Sequence, residues 1–203
     1  GEILAMAVVP AFNPNSFGRY DPEDWRNRVI TDCYEPGSTM KAFLISAALD
    51  KAVVSPQTRF HCENGAFEVA NHVIHDTHEY AELTAEDIVV LSSNIGAVKI
   101  GWKLGYRTFT DYLRGFGFGK KTGVDLIGER EGFIRPAAEA RAIDRANIFF
   151  GQGLTVTSIQ LAMAMAAVAN GGRLMRPHVV KEIREANGRV VRRMRPQVVR
   201  RVL

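Results

Sequence analysis

Cysteine is scarce in this sequence, since Cys33 and Cys62 are the only two among 203 residues. Two cysteines are too few for a disulfide framework, and their spacing matches no metal-binding pattern. Whether they pair stays open, and their number does not fix the compartment. A long hydrophobic run is also missing. The longest one, residues 159–169 interrupted by Gln160, is about half of the roughly 20 residues that a membrane-spanning helix needs.

The sequence shows no secretion signal. It begins directly with GEILAMAV, residues 1–8, which have the composition of a strand. This beginning suggests a piece of a longer protein, so the missing targeting signals lead to no conclusion. Hydrophobic residues make up 46% and charged residues 24% of the chain. That composition is typical of a globular protein, and the length suits one domain or most of one.

Acidic residues are few toward the end of the chain, where residues 171–203 contain ten Lys or Arg and two Glu. The net charge of the whole chain is +4, so the preceding residues are acidic on balance. A basic stretch can bind nucleic acid or anionic lipid. No aromatic residue stands among these arginines, however, which argues against a base-stacking surface. The interpretation is a solvated hairpin face, with no nucleic-acid partner.

Periodicity and turn residues predict mixed helix and strand. Helices are predicted at residues 39–51, from 84 to about 91, from Ser92 or Ser93 to Leu104, at 107–116 and at 155–169, with a short one possible within 21–33. Strands are predicted at residues 2–9, in a hairpin of 58–62 with 66–69, and in a second hairpin within 177–194 that turns at Asn187-Gly188.

Ser38 and Lys41 are the first candidate catalytic pair, in EPGSTMK at residues 35–41. Residues three apart on a helix share a face. A serine hydroxyl needs a base to become a nucleophile, and a lysine can be that base when burial holds it neutral. The pattern alone arises by chance about once per 200 residues. Its context is more specific, because Pro36-Gly37 places Ser38 at a helix start, where backbone N–H groups can stabilise an oxyanion.

Ser92-Ser93-Asn94 is the second candidate group, at the junction of two predicted helices. Ser92 could relay a proton between Lys41 and a leaving nitrogen, and Asn94 could hold a substrate amide and bond Lys41. The alternative for these residues taken alone is a helix N-cap, a common role for serine and asparagine.

Together the two groups match the Ser-x-x-Lys and Ser-x-Asn motifs of penicillin-binding proteins and serine β-lactamases. The sequence resembles class B penicillin-binding proteins over nearly its whole length, and the division-type transpeptidases more than the elongation-type ones. The resemblance is carried in order by GEILAMA at 1–7, FNPN at 12–15, EPGSTMK at 35–41, SSNIG at 92–96, FGFGKKTGVDL at 116–126 and GQGLTVTSIQLA at 151–162.

The resemblance implies an α/β (α+β) fold of the serine β-lactamase and D,D-transpeptidase type, an antiparallel sheet with helical layers. Residues 1–203 would be a partial transpeptidase domain, incomplete at both ends, without the preceding strand and the C-terminal strands that carry the third motif. We therefore expect weak or absent acylation by this piece alone.

The implied activity is serine acyl transfer on D-Ala-D-Ala stem peptides of peptidoglycan, without cofactor or metal. Ser38 would be the nucleophile, Lys41 the base, Ser92 a proton relay and Asn94 a substrate ligand. The implied partners are stem peptides, β-lactams and cell-wall or division proteins. The parent protein would be anchored in the bacterial inner membrane, with this domain facing the periplasm or cell exterior.

Two further patterns have competing interpretations. Lys121-Thr122-Gly123 spells the family's third motif but precedes the GQG segment, whereas the family has that motif well after it, so a structural turn is predicted. His75-Asp76-Thr77-His78 could bind a divalent ion. No third ligand follows at helical spacing, so a loop or hydrogen-bonding role is predicted.

Three other functions remain open from the sequence. A β-lactamase would need a second base for deacylation, and no convincing glutamate motif supplies one. A D,D-carboxypeptidase shares the chemistry and differs only in family likeness. A non-catalytic β-lactam sensor or division scaffold would form no covalent adduct at Ser38.

Overall fold

The computed structural model describes residues 1–203 and contains seven α-helices. Four of them begin at side-chain caps of the kind that satisfy the free N–H groups of a first turn. Thr84 and Thr157 form capping boxes with Asp87 and Gln160. The helices are α1 (Arg28–Thr31), α2 (Met40–Asp50), α3 (Ala85–Val90), α4 (Asn94–Leu104), α5 (Tyr106–Gly115), α6 (Ala142–Asn147) and α7 (Ser158–Ala169).

Ten short strands form five two-stranded ladders, and every ladder is antiparallel. The pairs are β1 (Arg59–His61) with β4 (Glu82–Thr84), β2 (Ala66–Val69) with β3 (His72–His75), β5 (Phe133–Ile134) with β6 (Leu154–Thr155), β7 (Arg173–Met175) with β10 (Val198–Arg201), and β8 (Glu182–Arg184) with β9 (Val190–Arg193). The mixed α+β class and the antiparallel pairing agree with the prediction.

Helix α2 packs on the core with one broad buried face, while Leu49 and Asp50 at its end are exposed. It packs against α3, α4, α5 and the short 3-10 turn Ile148–Phe150. The largest fully buried side chains of this core are aromatic: Phe43 of α2 itself and, around it, Phe109, Phe116, Phe118 and Phe149. Removing such rings from water is the largest favourable contribution that a core makes, at roughly 25 cal/mol per Å². The residues at the start of α2 therefore rest on a well-packed base.

Two strand predictions are wrong. Residues 2–9 form no strand, and only Glu2 makes an isolated bridge, to His178. Apolar and β-branched residues favour a strand only where a partner chain supplies a ladder. Residues 58–62 and 66–69 do not pair with each other either. β1 pairs with β4 and β2 pairs with β3, because the turn Glu63–Gly65 takes three successive positive φ angles and redirects the chain.

The helix predictions hold to within a few residues. The predicted helix at 155–169 begins only at Ser158, because Thr157 caps it. The second predicted hairpin is present as β8 and β9, and its exposed arginines Arg184 and Arg193 pair with Glu182. No helix in the structure is both long and apolar enough to cross a membrane.

Candidate active site

The turn before α2 is shaped by two glycines that touch each other. Gly37 has a φ of +58° and donates its N–H to the carbonyl oxygen of Gly151 at 3.0 Å. A Cβ on Gly151 would lie 1.9 Å from the carbonyl oxygen of Gly37, so only glycine fits there. Glu35 adds a second link by accepting the N–H of Gly153 at 2.8 Å. These contacts fix the 3-10 turn Gly37–Thr39, which carries Ser38.

Lys41 lies one turn further along α2 and is only 3% exposed. Its Nζ is surrounded by four oxygen atoms. They are Ser38 Oγ at 3.1 Å, Ser92 O at 2.5 Å, Ser92 Oγ at 3.0 Å and Asn94 Oδ1 at 2.9 Å. The structure thus brings together all four residues that the sequence predicted for the site.

The four oxygens differ in what they can do. The Ser92 carbonyl and Asn94 Oδ1 can only accept, so they take two N–H groups of the amine. The orientation of the Asn94 amide is consistent with this, because its Nδ2 donates to the carbonyl of His75 at 3.0 Å. The remaining position of the nitrogen faces the hydroxyls of Ser38 and Ser92, which can donate or accept. In the neutral amine this position is the lone pair, which is suited to take a hydroxyl proton.

Burial lowers the pKa of Lys41 to about 8, and the negative charge of Asp76 acts in the opposite direction. An ordinary lysine titrates near 10.4 and is almost wholly protonated at neutral pH. With a pKa of about 8, on the order of a tenth of the molecules carry the neutral amine at pH 7. The site therefore contains a base that is available at physiological pH.

Ser92 lies in the short turn between α3 and α4 and has a φ of +59°. A side chain in this left-handed region costs about 1–3 kcal/mol, and it persists only where the surroundings hold it. Helices α3 and α4 meet closely at this turn, because Gly96 packs directly on Ile88. Ser93 caps α4 by accepting the N–H of Gly96 at 2.9 Å. The N-cap role is thus taken by Ser93, while Ser92 and Asn94 face Lys41.

No signal in the sequence indicates a catalytic role for Asp76, which lies directly after β3. Its carboxylate accepts the N–H groups of Asn94 at 2.5 Å and Ile95 at 3.1 Å, and the hydroxyl of Ser93 at 2.6 Å. The His75-Asp76-Thr77-His78 run thus has the predicted hydrogen-bonding role. The bond from the Gly153 N–H to Glu35 was not predicted either. Neither this bond nor the bonds of Asp76 have a local signal in the sequence.

Lys121-Thr122-Gly123 lies in an irregular segment and takes no part in the Lys41 cluster. The backbone N–H groups of Thr122 and Gly123 donate to Glu129, at 2.6 and 3.1 Å, and Gly123 has a φ of +76°. These contacts agree with the predicted structural turn.

Both cysteines are free thiols, with Cys33 exposed and Cys62 buried.

An open cavity of about 350 Å³ adjoins Asn94. Its polar lining comes from imidazole and amide groups, and no Lys, Arg, Asp or Glu lines it. Gln152, which follows the Gly151 that contacts Gly37, borders the cavity, and Phe150 contributes an apolar wall. A surface with amide donors and acceptors and an apolar wall suits an extended peptide.

The family model for the penicillin-binding protein transpeptidase domain matches residues 1–202 of the chain. Peptidoglycan D,D-transpeptidase FtsI of Escherichia coli K12 is 36% identical over 183 residues, which cover 90% of this chain and 31% of that protein. Stage V sporulation protein D of Bacillus subtilis is 36% identical over 190 residues, covering 90% of this chain and 29% of that protein. The chain thus spans about a third of the length of these curated relatives.

Solved structures agree with this match. Penicillin-binding protein 3 of Mycobacterium tuberculosis, complexed with aztreonam, superposes with a TM-score of 0.84 at 29% identity, over 93% of this chain and 42% of that one. The apo transpeptidase domain of penicillin-binding protein 3 from Burkholderia pseudomallei gives a TM-score of 0.77 at 36% identity, over 87% and 51% of the two chains.

Proposed function

The chain belongs to the penicillin-binding protein transpeptidase domain family, and on that premise we propose that it carries the nucleophile and the base of a serine D,D-transpeptidase. The observation that carries the proposal is the buried amine of Lys41, 3.1 Å from Ser38 Oγ and 3.0 Å from Ser92 Oγ. A lysine that burial keeps partly neutral, next to a serine hydroxyl at a helix start, is an arrangement suited to acyl transfer.

In the proposed acylation, neutral Lys41 takes the proton of Ser38 as Oγ attacks the carbonyl between the two terminal D-alanines of a stem peptide. The negative charge on the carbonyl oxygen is stabilised by donors that include the backbone N–H of Ser38. The proton then passes from Lys41 through the hydroxyl of Ser92 to the nitrogen of the departing D-alanine. The products are free D-alanine and an ester between the stem and Ser38.

In the proposed second half, an amine of a neighbouring stem attacks the ester carbonyl. Its proton returns through Ser92 and Lys41 to Ser38 Oγ, which leaves as a hydroxyl. A new amide bond between two stems results, and the enzyme is regenerated. Asn94 orients the donor by bonding an amide of the stem from the cavity described above. A β-lactam imitates the D-Ala-D-Ala unit and acylates Ser38 in the same way.

We propose further that residues 1–203 are part of a longer polypeptide, in which a Lys-Ser-Gly or Lys-Thr-Gly strand supplies the second oxyanion donor. The parent protein would be anchored in the bacterial inner membrane, face the periplasm or cell exterior, and work with cell-wall or division proteins. Support comes from the motif likeness to division-type enzymes and from relatives about three times as long as this chain. The 203-residue chain alone would then acylate only weakly.

The activity is tested with the full natural protein and peptidoglycan strands whose stems end in D-Ala-D-Ala. Released D-alanine and cross-linked stems are measured together. We expect both products from the wild type and neither from Ser38→Ala. Ser46→Ala is the matched control on α2, since its hydroxyl donates only to the Ala42 carbonyl, and it should form both. Release of D-alanine without cross-links in the presence of acceptor stems would contradict the transpeptidase and point to a carboxypeptidase.

A further inference from the structure

Asp76 joins the segment after β3 to the start of α4. One carboxylate oxygen accepts the backbone N–H groups of Asn94 and Ile95, at 2.5 and 3.1 Å, and the other accepts the Ser93 hydroxyl at 2.6 Å. The neighbouring His75 carbonyl accepts the side-chain N–H of Asn94 at 3.0 Å. Backbone and side chain of Asn94 are therefore both held from this segment.

These bonds act on the residues that face Lys41. Asn94 presents Oδ1 to the amine, and Ser92, directly before Ser93, presents its carbonyl and its hydroxyl. The left-handed backbone of Ser92 must be held by its neighbours, because a serine does not favour this conformation. Asp76 fixes Ser93 and Asn94, the two residues that follow Ser92.

Asp76 and Ser93 divide the cap of α4 between them. Ser93 accepts the Gly96 N–H, and the Asp76 carboxylate accepts the N–H groups of Asn94 and Ile95, a favourable place for a negative charge. What distinguishes Asp76 from a simple cap is that Ser92 and Asn94, on either side of the Ser93 that it binds, both contact Lys41.

We propose that Asp76 is a positioning residue for the acyl-transfer centre, where its carboxylate holds the Ser92–Asn94 turn against Lys41 and its negative charge acts on the amine through space. This inference rests on the proposed function, because it concerns how the proposed base is oriented and charged. Nothing in it requires Asp76 to touch a substrate.

Among the charged side chains near α2, Asp76 is the one whose charge acts on Lys41. Its negative charge favours the protonated amine, whereas burial lowers the pKa. The 3-10 turns Gly37–Thr39 and Ile148–Phe150 carry no charged side chain. The charged groups of α3 and α4 are Glu86, Asp87, Lys99 and Lys103, and none of them bonds Lys41; Asp87 is held by Thr84 and Lys99 by Glu63. Helices α5 and α2 meet at the far end of α2, where Tyr112 bonds Asp50.

The decisive variant is Asp76→Asn, which removes the charge and keeps the shape. Its amide oxygen can accept both backbone N–H groups, and Ser93 can turn its own proton toward Cys62 Sγ, 3.8 Å away. The rate of acylation by a chromogenic β-lactam is measured from pH 5 to 9 in the full natural protein. We expect the midpoint of the rise with pH to move down by at least about half a pH unit, because the neutral amine is then favoured.

Asp125→Asn is the matched control, since Asp125 also accepts two backbone N–H groups, of Val179 and Val180, away from Lys41. It should leave the midpoint and the maximal rate unchanged. Asp76→Ala removes charge and hydrogen bonds together, so its maximal rate should fall about tenfold or more, as expected for a displaced catalytic turn. Thermal unfolding checks that each variant is folded.

An unmoved midpoint in folded Asp76→Asn would overturn the inference, and so would a wild-type maximal rate in Asp76→Ala. If Asp76→Ala fails to fold, Asp76→Asn alone decides. A mere cap for α4 would change stability but not the midpoint. The proposed function fails separately, when the wild type forms no ester at Ser38 at any pH. Acylation of the wild type with an unmoved Asp76→Asn midpoint contradicts this inference alone.

Discussion

The amine of Lys41 lies 3.1 Å from the hydroxyl of Ser38, at the start of a helix that buries one broad face in the core. The same burial that packs α2 into the core lowers the pKa of Lys41 to about 8. The fold and the proposed chemistry are therefore linked, since desolvation by the core prepares the base.

The acylation rate should depend on pH in the way this link requires. Only neutral Lys41 can take the serine proton, so the rate of β-lactam acylation should rise with pH toward a plateau above a midpoint near 8. At pH 6 we expect a rate about a hundredfold below the plateau. Stopped-flow measurement with a chromogenic β-lactam checks this, and a flat profile between pH 6 and 8 would contradict it.

The stability of the protein should report the same pKa. Between pH 8 and 10.5, Lys41 binds a proton in the unfolded chain but largely not in the folded one, so the free energy of unfolding rises with pH in this interval. Its slope from this group is about 1.4 kcal/mol per pH unit.

Lys41→Met removes the titrating group and keeps the volume. Denaturant unfolding of both proteins at pH 7.5, 9 and 10.5 isolates the contribution of Lys41, because the other groups cancel in the difference. Wild type should gain stability relative to Lys41→Met as the pH rises. A difference that is constant, or that falls with pH, would show that Lys41 is not desolvated in the folded state.

The contact of Gly151 with Gly37 should be required for acylation. In Gly151→Ala the new Cβ would lie 1.9 Å from the Gly37 carbonyl oxygen, so the turn before Ser38 must move. We expect at least a tenfold loss in acylation rate, since a shift of about 1 Å at a catalytic group costs on the order of a hundredfold. The measurement is labelling by a fluorescent penicillin over time.

Gly171→Ala is the control for backbone strain, because Gly171, at the end of α7, also has a positive φ, +78°, but open space around it. It should lose stability by about 1 kcal/mol or somewhat more, the cost of a left-handed alanine, and label close to the wild-type rate. Equal labelling by the two alanine variants would mean that the Gly37–Gly151 contact does not position Ser38.

Substitutions of Ser92 should affect stability and acylation rate differently. Ser92→Gly relieves the left-handed backbone at a φ of +59° and removes the hydroxyl, so the variant should be at least as stable as the wild type. Its acylation rate should nevertheless fall by about 10²–10⁴, the usual worth of a positioned proton donor or acceptor. Ser92→Ala should lose a similar factor with no gain in stability. Wild-type acylation by Ser92→Gly would remove Ser92 from the proton path.

The sequence predicted most of the site, because its signals are local or carried by family motifs. Pro36-Gly37 marks the start of α2, and the acidic first turn of α3 marks the helix that leads into Ser92. The bonds of Asp76 to the start of α4 were not predictable, because they join residues 17 to 19 positions apart through a loop. The pairing of β1 with β4 was missed for the same reason. A tight turn signal suggested the nearest partner, and the chain used a more distant one.

The identity of the residue that a β-lactam modifies decides whether Ser38 is the nucleophile. The full natural protein is incubated with a penicillin, digested and mapped by mass spectrometry, alongside Lys41→Ala. We expect one adduct on the peptide that contains Ser38, with a mass gain equal to the intact antibiotic, and a rate of formation at least a hundredfold lower in folded Lys41→Ala. An adduct on another residue, or an undiminished rate without the lysine, would contradict this expectation.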